Sequence, residues 1–159
     1  MQHTIEFTQD EIRILFYGYA QPQGSVKITD KKDNNRKKKT HAYYEKKNYI
    51  FRNELRAVFN KYNFDRPYFK RGVPVIMRLN IHRSMPKSYG KKKREQAKKG
   101  HIMPVTRPDN SNCLKQIEDA LNGIAYWDDA QICQHIMCKG YEDVEKIEII
   151  IKRIEVDDR

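Results

Sequence analysis

No run of about 18 apolar residues occurs anywhere in this chain, so a membrane-spanning helix is not expected. Its opening, MQHTIEFTQDEI, is polar and acidic and does not resemble a secretion signal. No basic helix with a broad apolar face appears either, which argues against a membrane surface as partner. Cysteine is scarce. Cys113, Cys133 and Cys138 are too few, and odd in number, for a disulfide framework. Cys133 and Cys138 lie five apart in an expected strand, hence on opposite faces, and no Cys or His pair completes a zinc site around them. All three are read as reduced, structural thiols in a cytoplasmic protein. No internal repeat is visible.

Positive charge is what the chain has in excess. Lys and Arg number 32 against 21 acids, for a net charge of +11. That balance favours a polyanionic partner. The 159 residues are expected to form one domain, 1–159, with a single ordinary core. Residues 1–10 read as a flexible or loosely docked leader. EIRILFYGYA (11–20) is β-prone and apolar on both faces, and Gln21-Pro22-Gln23-Gly24-Ser25 ends it as a loop. Residues 30–40, DKKDNNRKKKT, read as a solvated basic loop in which Lys31, Lys32, Arg36, Lys37, Lys38 and Lys39 are candidates for phosphate contact.

A helix is expected from Ala42 to Tyr62, because Tyr44, Phe51, Leu55, Val58, Phe59 and Tyr62 form an apolar stripe at helical spacing. Val73 to His82 alternates as a strand. Residues 87–100, KSYGKKKREQAKKG, are again strongly basic, with a helical turn or two around 91–98. Here Lys91, Lys92, Lys93 and Arg94 are the second set of DNA-binding candidates. Two separate lysine-rich segments mark an electrostatic footprint better than one. Past the central stretch, 132–138 reads as a strand, Lys139-Gly140-Tyr141 as a turn, and Val144 to Val156 as a last, isoleucine-rich strand. The expected class is α+β, a mixed sheet packed with two main helices.

The stretch 107–132, RPDNSNCLKQIEDALNGIAYWDDAQI, organises the rest. Pro108 holds the chain extended before Asp109. Asp109, Asn110 and Ser111 are all suitable N-caps for a following helix. Leu114, Ile117 and Leu121 repeat at core spacing, while Ser111, Lys115 and Asp119 share another face. Asn122-Gly123 suits a left-handed helix exit. Asp128-Asp129 then makes an acidic turn. Acids converging from separate elements are what a hard dication needs. A capped surface helix with a solvated Lys115–Asp119 pair fits the local pattern equally well.

This stretch resembles the RusA family of Holliday-junction resolvases. Arg107, Pro108, Asp109, Asn112 and Lys115 match the first part of that family's signature. Asp119, Ala120, Leu121, Asn122 and Gly123 match the second, and Asp128, Asp129, Gln131 and Ile132 the third. The resemblance implies a RusA-like fold and a Mg2+-dependent endonuclease, with Mn2+ as a substitute ion, cutting four-way DNA junctions in recombination and repair as a homodimer. It implies Asp109 and Asp129 as metal ligands, Asp128 as ligand or supporting acid, Lys115 as a catalytic cation and Arg107 as a DNA contact. One departure stands out. Ser111 occupies the place of the family's second aspartate, and a hydroxyl is a weak, neutral ligand where a carboxylate brings a full charge. Asp128 or Asp119 could supply the missing donor. The other reading is a junction- or DNA-binding protein that does not cut, its site crippled at Ser111. A third, independent of the resemblance, is a basic RNA-binding or assembly protein.

Overall fold

A computed structural model describes residues 3–23, 27–32, 38–43 and 46–155, with only the backbone described for 27–32 and 38–43. The main sheet has five strands in the order β1-β2-β7-β5-β6. These are β1 (Thr4–Thr8), β2 (Glu11–Tyr17), β5 (Val75–Ser84), β6 (Ile132–Glu142) and β7 (Lys146–Arg153). β5 and β6 run parallel, and the other pairings are antiparallel. The sheet is therefore mixed. Three helices accompany it: α1 (Lys46–Asn60), the short α2 (Lys91–Lys98) and α3 (Asn110–Leu121). This is the α+β class expected, with α1 and α3 as the two main helices.

Period-two alternation builds the core face. Ile12, Ile14 and Phe16 of β2, Val75, Met77, Leu79 and Ile81 of β5, and Ile147, Ile149 and Ile151 of β7 are all buried. Phe51, Leu55, Val58 and Phe59 of α1 and Cys113, Ile117, Ala120 and Leu121 of α3 pack onto that face. The opposite face is less covered. Arg13 and Arg78 are exposed there and Leu15, Ile76 and Ile150 only half-buried, so β2 is not covered on both faces as its composition suggested.

Within the expected leader 1–10, Thr4–Thr8 is a strand. β1 pairs with β2 along its whole length, and Ile5 is buried. Phe7 joins a ring cluster with Phe59, Tyr62, Phe64 and Tyr68, at centroid distances of 5.0–6.2 Å. Each buried side chain of this size contributes about 2–3 kcal/mol, enough to dock a five-residue strand. The polar residues Thr4, Glu6 and Thr8 gave the segment its loop-like look, but they alternate with Ile5 and Phe7.

Two further expectations are revised. Lys27–Lys32 and Lys38–Tyr43 are strands β3 and β4 of a separate antiparallel hairpin, so 30–40 is not simply a loop. The β-branched Ile28, Thr29 and Thr40 favour that conformation despite the lysines around them. The hairpin takes Ala42 and Tyr43 away from the expected helix, which begins at Lys46. Lys139-Gly140-Tyr141 does not turn. β5 extends to Ser84 and offers these residues partners at Ile81, His82 and Arg83, so the ladder overrides local turn chemistry.

Candidate active site

Asp109 is the N-cap of α3. Its backbone is extended, and its Oδ1 accepts a hydrogen bond of 3.0 Å from the amide of Ser111. The carboxylate is exposed, and so are Ser111 and Lys115. Asp109 lies at the mouth of a cleft of about 490 Å³. Tyr19, Gln21, Pro22, Gln23, Lys47 and Arg107 line it, with Pro108 and Asn112 beside the acid. Around this end of α3 the loop 106–108 is held by cations. Lys139 donates to the carbonyls of Thr106 and Pro108 at 2.9 and 3.3 Å, and Arg83 donates to that of Arg107.

Asp119 is not part of this end. Its Oδ2 accepts from Arg52 at 2.6 Å and from Gln23 at 2.9 Å. Arg52 also reaches Gln116, whose own amide donates to the carbonyl of Asn48 at 2.8 Å. Asp119 thus clamps α3 to α1 and to the loop after β2. It pairs with Arg52 rather than Lys115, which has no acidic partner among the described residues. A carboxylate so engaged is a poor substitute for the one Ser111 lacks.

Asp128 and Asp129 form a different structure. Gly123, with φ +74°, ends α3 as its sequence promised. Ile124, Ala125 and Tyr126 return into the core, where burial raises the Tyr126 phenol well above its ordinary pKa. Asp128 then caps a short 3-10 turn, Asp129–Gln131, through a 2.9 Å bond from Ala130 N–H. Gln131 completes a capping box. Its Oε1 accepts from the amides of Trp127 and Asp128, while its Nε2 donates to the carbonyls of Lys70 and Val73 at 2.9 and 2.8 Å. Asp129 is exposed on this pinned turn.

The two acidic elements lie at opposite ends of α3. Asp129 precedes Ile132, where β6 begins, whereas the Asp109 end is held by Lys139. At about 3.3 Å per residue, the strand from 132 to 139 covers roughly 23 Å. α3 runs antiparallel beside it, with Glu118 2.7 Å from His135, and its twelve residues are about 18 Å long. Asp109 and Asp129 of one chain therefore do not converge on one cation. Among the described residues no group of three or more His, Cys, Asp or Glu side chains is arranged to hold a metal ion.

A family model described as endodeoxyribonuclease RusA matches residues 23–152. The chain belongs to the RusA endodeoxyribonuclease family. A curated relative from Bacillus subtilis (strain 168), named Uncharacterized protein YqaN, is 32% identical over 151 residues, covering 91% of this chain and 98% of the relative. The family likeness first seen in 107–132 thus extends over 23–152, with β1 and β2 before the matched stretch.

Set on that fold, the basic candidates divide. Lys91, Lys92 and Lys93 are exposed on α2, with the Lys93 ammonium 4.2 Å from the Tyr89 ring centre. Arg94 and Lys98 instead pair with Asp143, whose carboxyl they hold below its usual pKa, Lys98 most strongly. α2 packs at the far end of β6, where Ala97 and Lys98 lie beside His82 and Cys138. Arg36 and Lys37 lie outside the described residues, as do the side chains of Lys31, Lys32, Lys38 and Lys39. Of the three cysteines, only Cys113 is buried, its thiol pushed up to about 12 by burial. Cys133 and Cys138 are exposed on β6, not packed in the core.

Sequence reasoning missed the cleft residues Tyr19, Gln21 and Gln23, the ties made by Arg83 and Lys139, and the turn-pinning role of Gln131. The last was legible: an Asp followed three residues later by Gln is capping-box spacing. No helix of the described residues is long and apolar enough to cross a membrane.

Proposed function

We propose that this protein is a Mg2+-dependent Holliday-junction resolvase, cutting four-way DNA junctions as a homodimer in recombination and repair. The observation that carries the reading is Asp109, an exposed carboxylate at the mouth of a cleft that Arg107 and Lys47 line, in a chain of the RusA family. An acid set among cations, in a chain with an exposed basic helix, suits a phosphodiester.

One chain does not supply a donor set for a dication. Two chains do, if they pack about a two-fold axis with their α3 helices antiparallel. That arrangement sets Asp109 of one copy against Asp128 and Asp129 of the other, twice. The length of α3 matches the separation to be bridged. β6 offers a surface for such packing: it is an eleven-residue edge strand bearing exposed Gln134, His135 and Ile136, and exposed edges of this length are usually covered. A two-fold protein also matches a two-fold junction. Asp109 of one copy with Asp128 and Asp129 of the other, and Ser111 at a weakened position, would hold Mg2+ or Mn2+, which would supply an acidified water and charge stabilisation at the phosphate. Arg107 and the lysines of α2 hold the DNA backbone. Lys115, about 9 Å along α3 from Asp109 and without an acidic partner among the described residues, places an ammonium within reach of the same phosphate.

A second reading rests on Ser111. With a hydroxyl where the family has a carboxylate, the protein binds junctions and does not cut them. Cleavage of a labelled four-way junction in Mg2+ or Mn2+, by the native protein and by Ser111→Asp, separates the two. Cutting by the native protein supports the resolvase. Cutting by the variant alone supports a binding protein. No junction preference over linear duplex at matched salt, in either protein, contradicts both.

A further inference from the structure

The cleft beside Asp109 is larger than a phosphate or a cation needs. At about 490 Å³ it falls within the roughly 300–1,000 Å³ range of small-molecule sites. Its walls are built in advance. Gln23 N–H donates to the carbonyl of Asn112 at 2.9 Å, and the Gln23 amide is tied to Asp119. The thiol of Cys113, within α3, reaches the carbonyl of Ala20 at 3.5 Å. The loop 20–23 is therefore fixed to α3 on both sides of the cleft.

Tyr19 gives this cleft an aromatic wall. Its ring is 39% exposed, although the residues on either side are half-buried or buried. The Arg83 guanidinium lies 4.9 Å from the ring centre, and Arg83 is itself held by Glu145 at 3.0 Å and by the carbonyl of Arg107. A cation braced against an aromatic ring fixes the ring's orientation. Around it stand the amides of Gln21 and Asn112, which carry donors and acceptors, and the cations of Lys47 and Arg107. Asp109 is the one acid lining the cleft among the described residues.

A flat aromatic group with hydrogen-bonding edges and an attached anion satisfies all of these walls together. We propose that the cleft takes one unstacked nucleoside of the DNA strand, the one adjoining the phosphate placed at Asp109, with its base against Tyr19. A base still stacked in duplex cannot lay its face against Tyr19; it must leave the stack, as single-stranded bases do when they meet aromatic side chains. The open centre of a branched junction supplies such bases at low cost, because the pairs there have already lost part of their stacking. This inference rests on the proposed action on DNA junctions and adds how the strand is held.

The test is a four-way junction carrying 2-aminopurine at each position near the branch point in turn, bound by the full-length protein in Ca2+. The expected result is a rise in fluorescence at one position only. Tyr19→Ala should abolish the rise and weaken junction binding roughly tenfold, whereas Tyr19→Phe should keep both. A thermal melt of each variant confirms that it is folded. A junction that binds with no rise at any position overturns the inference while leaving the resolvase reading in place; so does a rise that survives Tyr19→Ala. A rise in a protein that cuts in no divalent ion, even with Ser111→Asp, keeps the cleft and removes the nuclease. Failure to bind the junction overturns both.

Discussion

The two ends of α3 carry acids of similar sequence appearance and different construction. At the N-terminal end Asp109 caps the helix and lines a cleft together with Arg107 and Lys47. At the other end Asp128 and Asp129 sit on a turn pinned through Gln131 to Lys70 and Val73. One end presents a cleft with cationic walls. The other is equipped to hold a carboxylate still. A helix about 18 Å long lies between them. In the proposed dimer the acids share a site because the assembly brings opposite ends together.

That contrast can be broken from either side. The largest effect is expected from Asp109→Asn or Asp129→Asn, each lowering junction cleavage by more than the roughly 100-fold typical of residues that merely orient metal ligands. Single-turnover cleavage measures this, with junction binding by gel shift staying within a few-fold of the native protein. Ser111→Asp should act in the opposite direction, raising cleavage about tenfold or more by restoring a charged oxygen donor at the Asp109 end. Gln131→Ala attacks the other end by removing four hydrogen bonds that fix its turn. It should cost about 1–2 kcal/mol in urea denaturation and reduce cleavage without changing DNA affinity.

Smaller effects sharpen the contrast instead. Asp119→Asn should cost about 1 kcal/mol of stability through its bond to Arg52 and leave Mn2+ binding unchanged, because this acid serves the helix packing. Replacing Lys91, Lys92 and Lys93 with Gln should lower the salt slope of DNA binding by about 0.9 for each phosphate that is no longer neutralised. Arg94→Gln should change it less, since Asp143 already engages that side chain.

Much of this was legible in the chain itself. The strands 75–84 and 146–153 show their burial in the alternation of Val75, Met77, Leu79, Ile81, Ile147, Ile149 and Ile151. The helix between Asp109 and Gly123 shows both its cap and its exit. What stayed hidden depended on long-range partners. β1 looked polar because half of its residues face away from the ring cluster around Phe7. Lys139-Gly140-Tyr141 looked like a turn because nothing local says that β5 runs alongside. The role of Asp119 could not be read without Arg52, which is distant in sequence. The convergence of Asp109 and Asp129 was expected on the strength of a motif, and motif order carries no information about which chain supplies each acid.

The most direct test of the account is a mixed dimer, made by co-expressing Asp109→Asn and Asp129→Asn chains with different tags and purifying on both. It is made in whichever background cuts, native or Ser111→Asp. Each variant alone should be inactive. If each site draws Asp109 from one copy and Asp129 from the other, the mixed dimer carries one intact site and should nick junctions at about half the rate of the unmutated dimer. A mixed dimer as inactive as either parent would contradict the account.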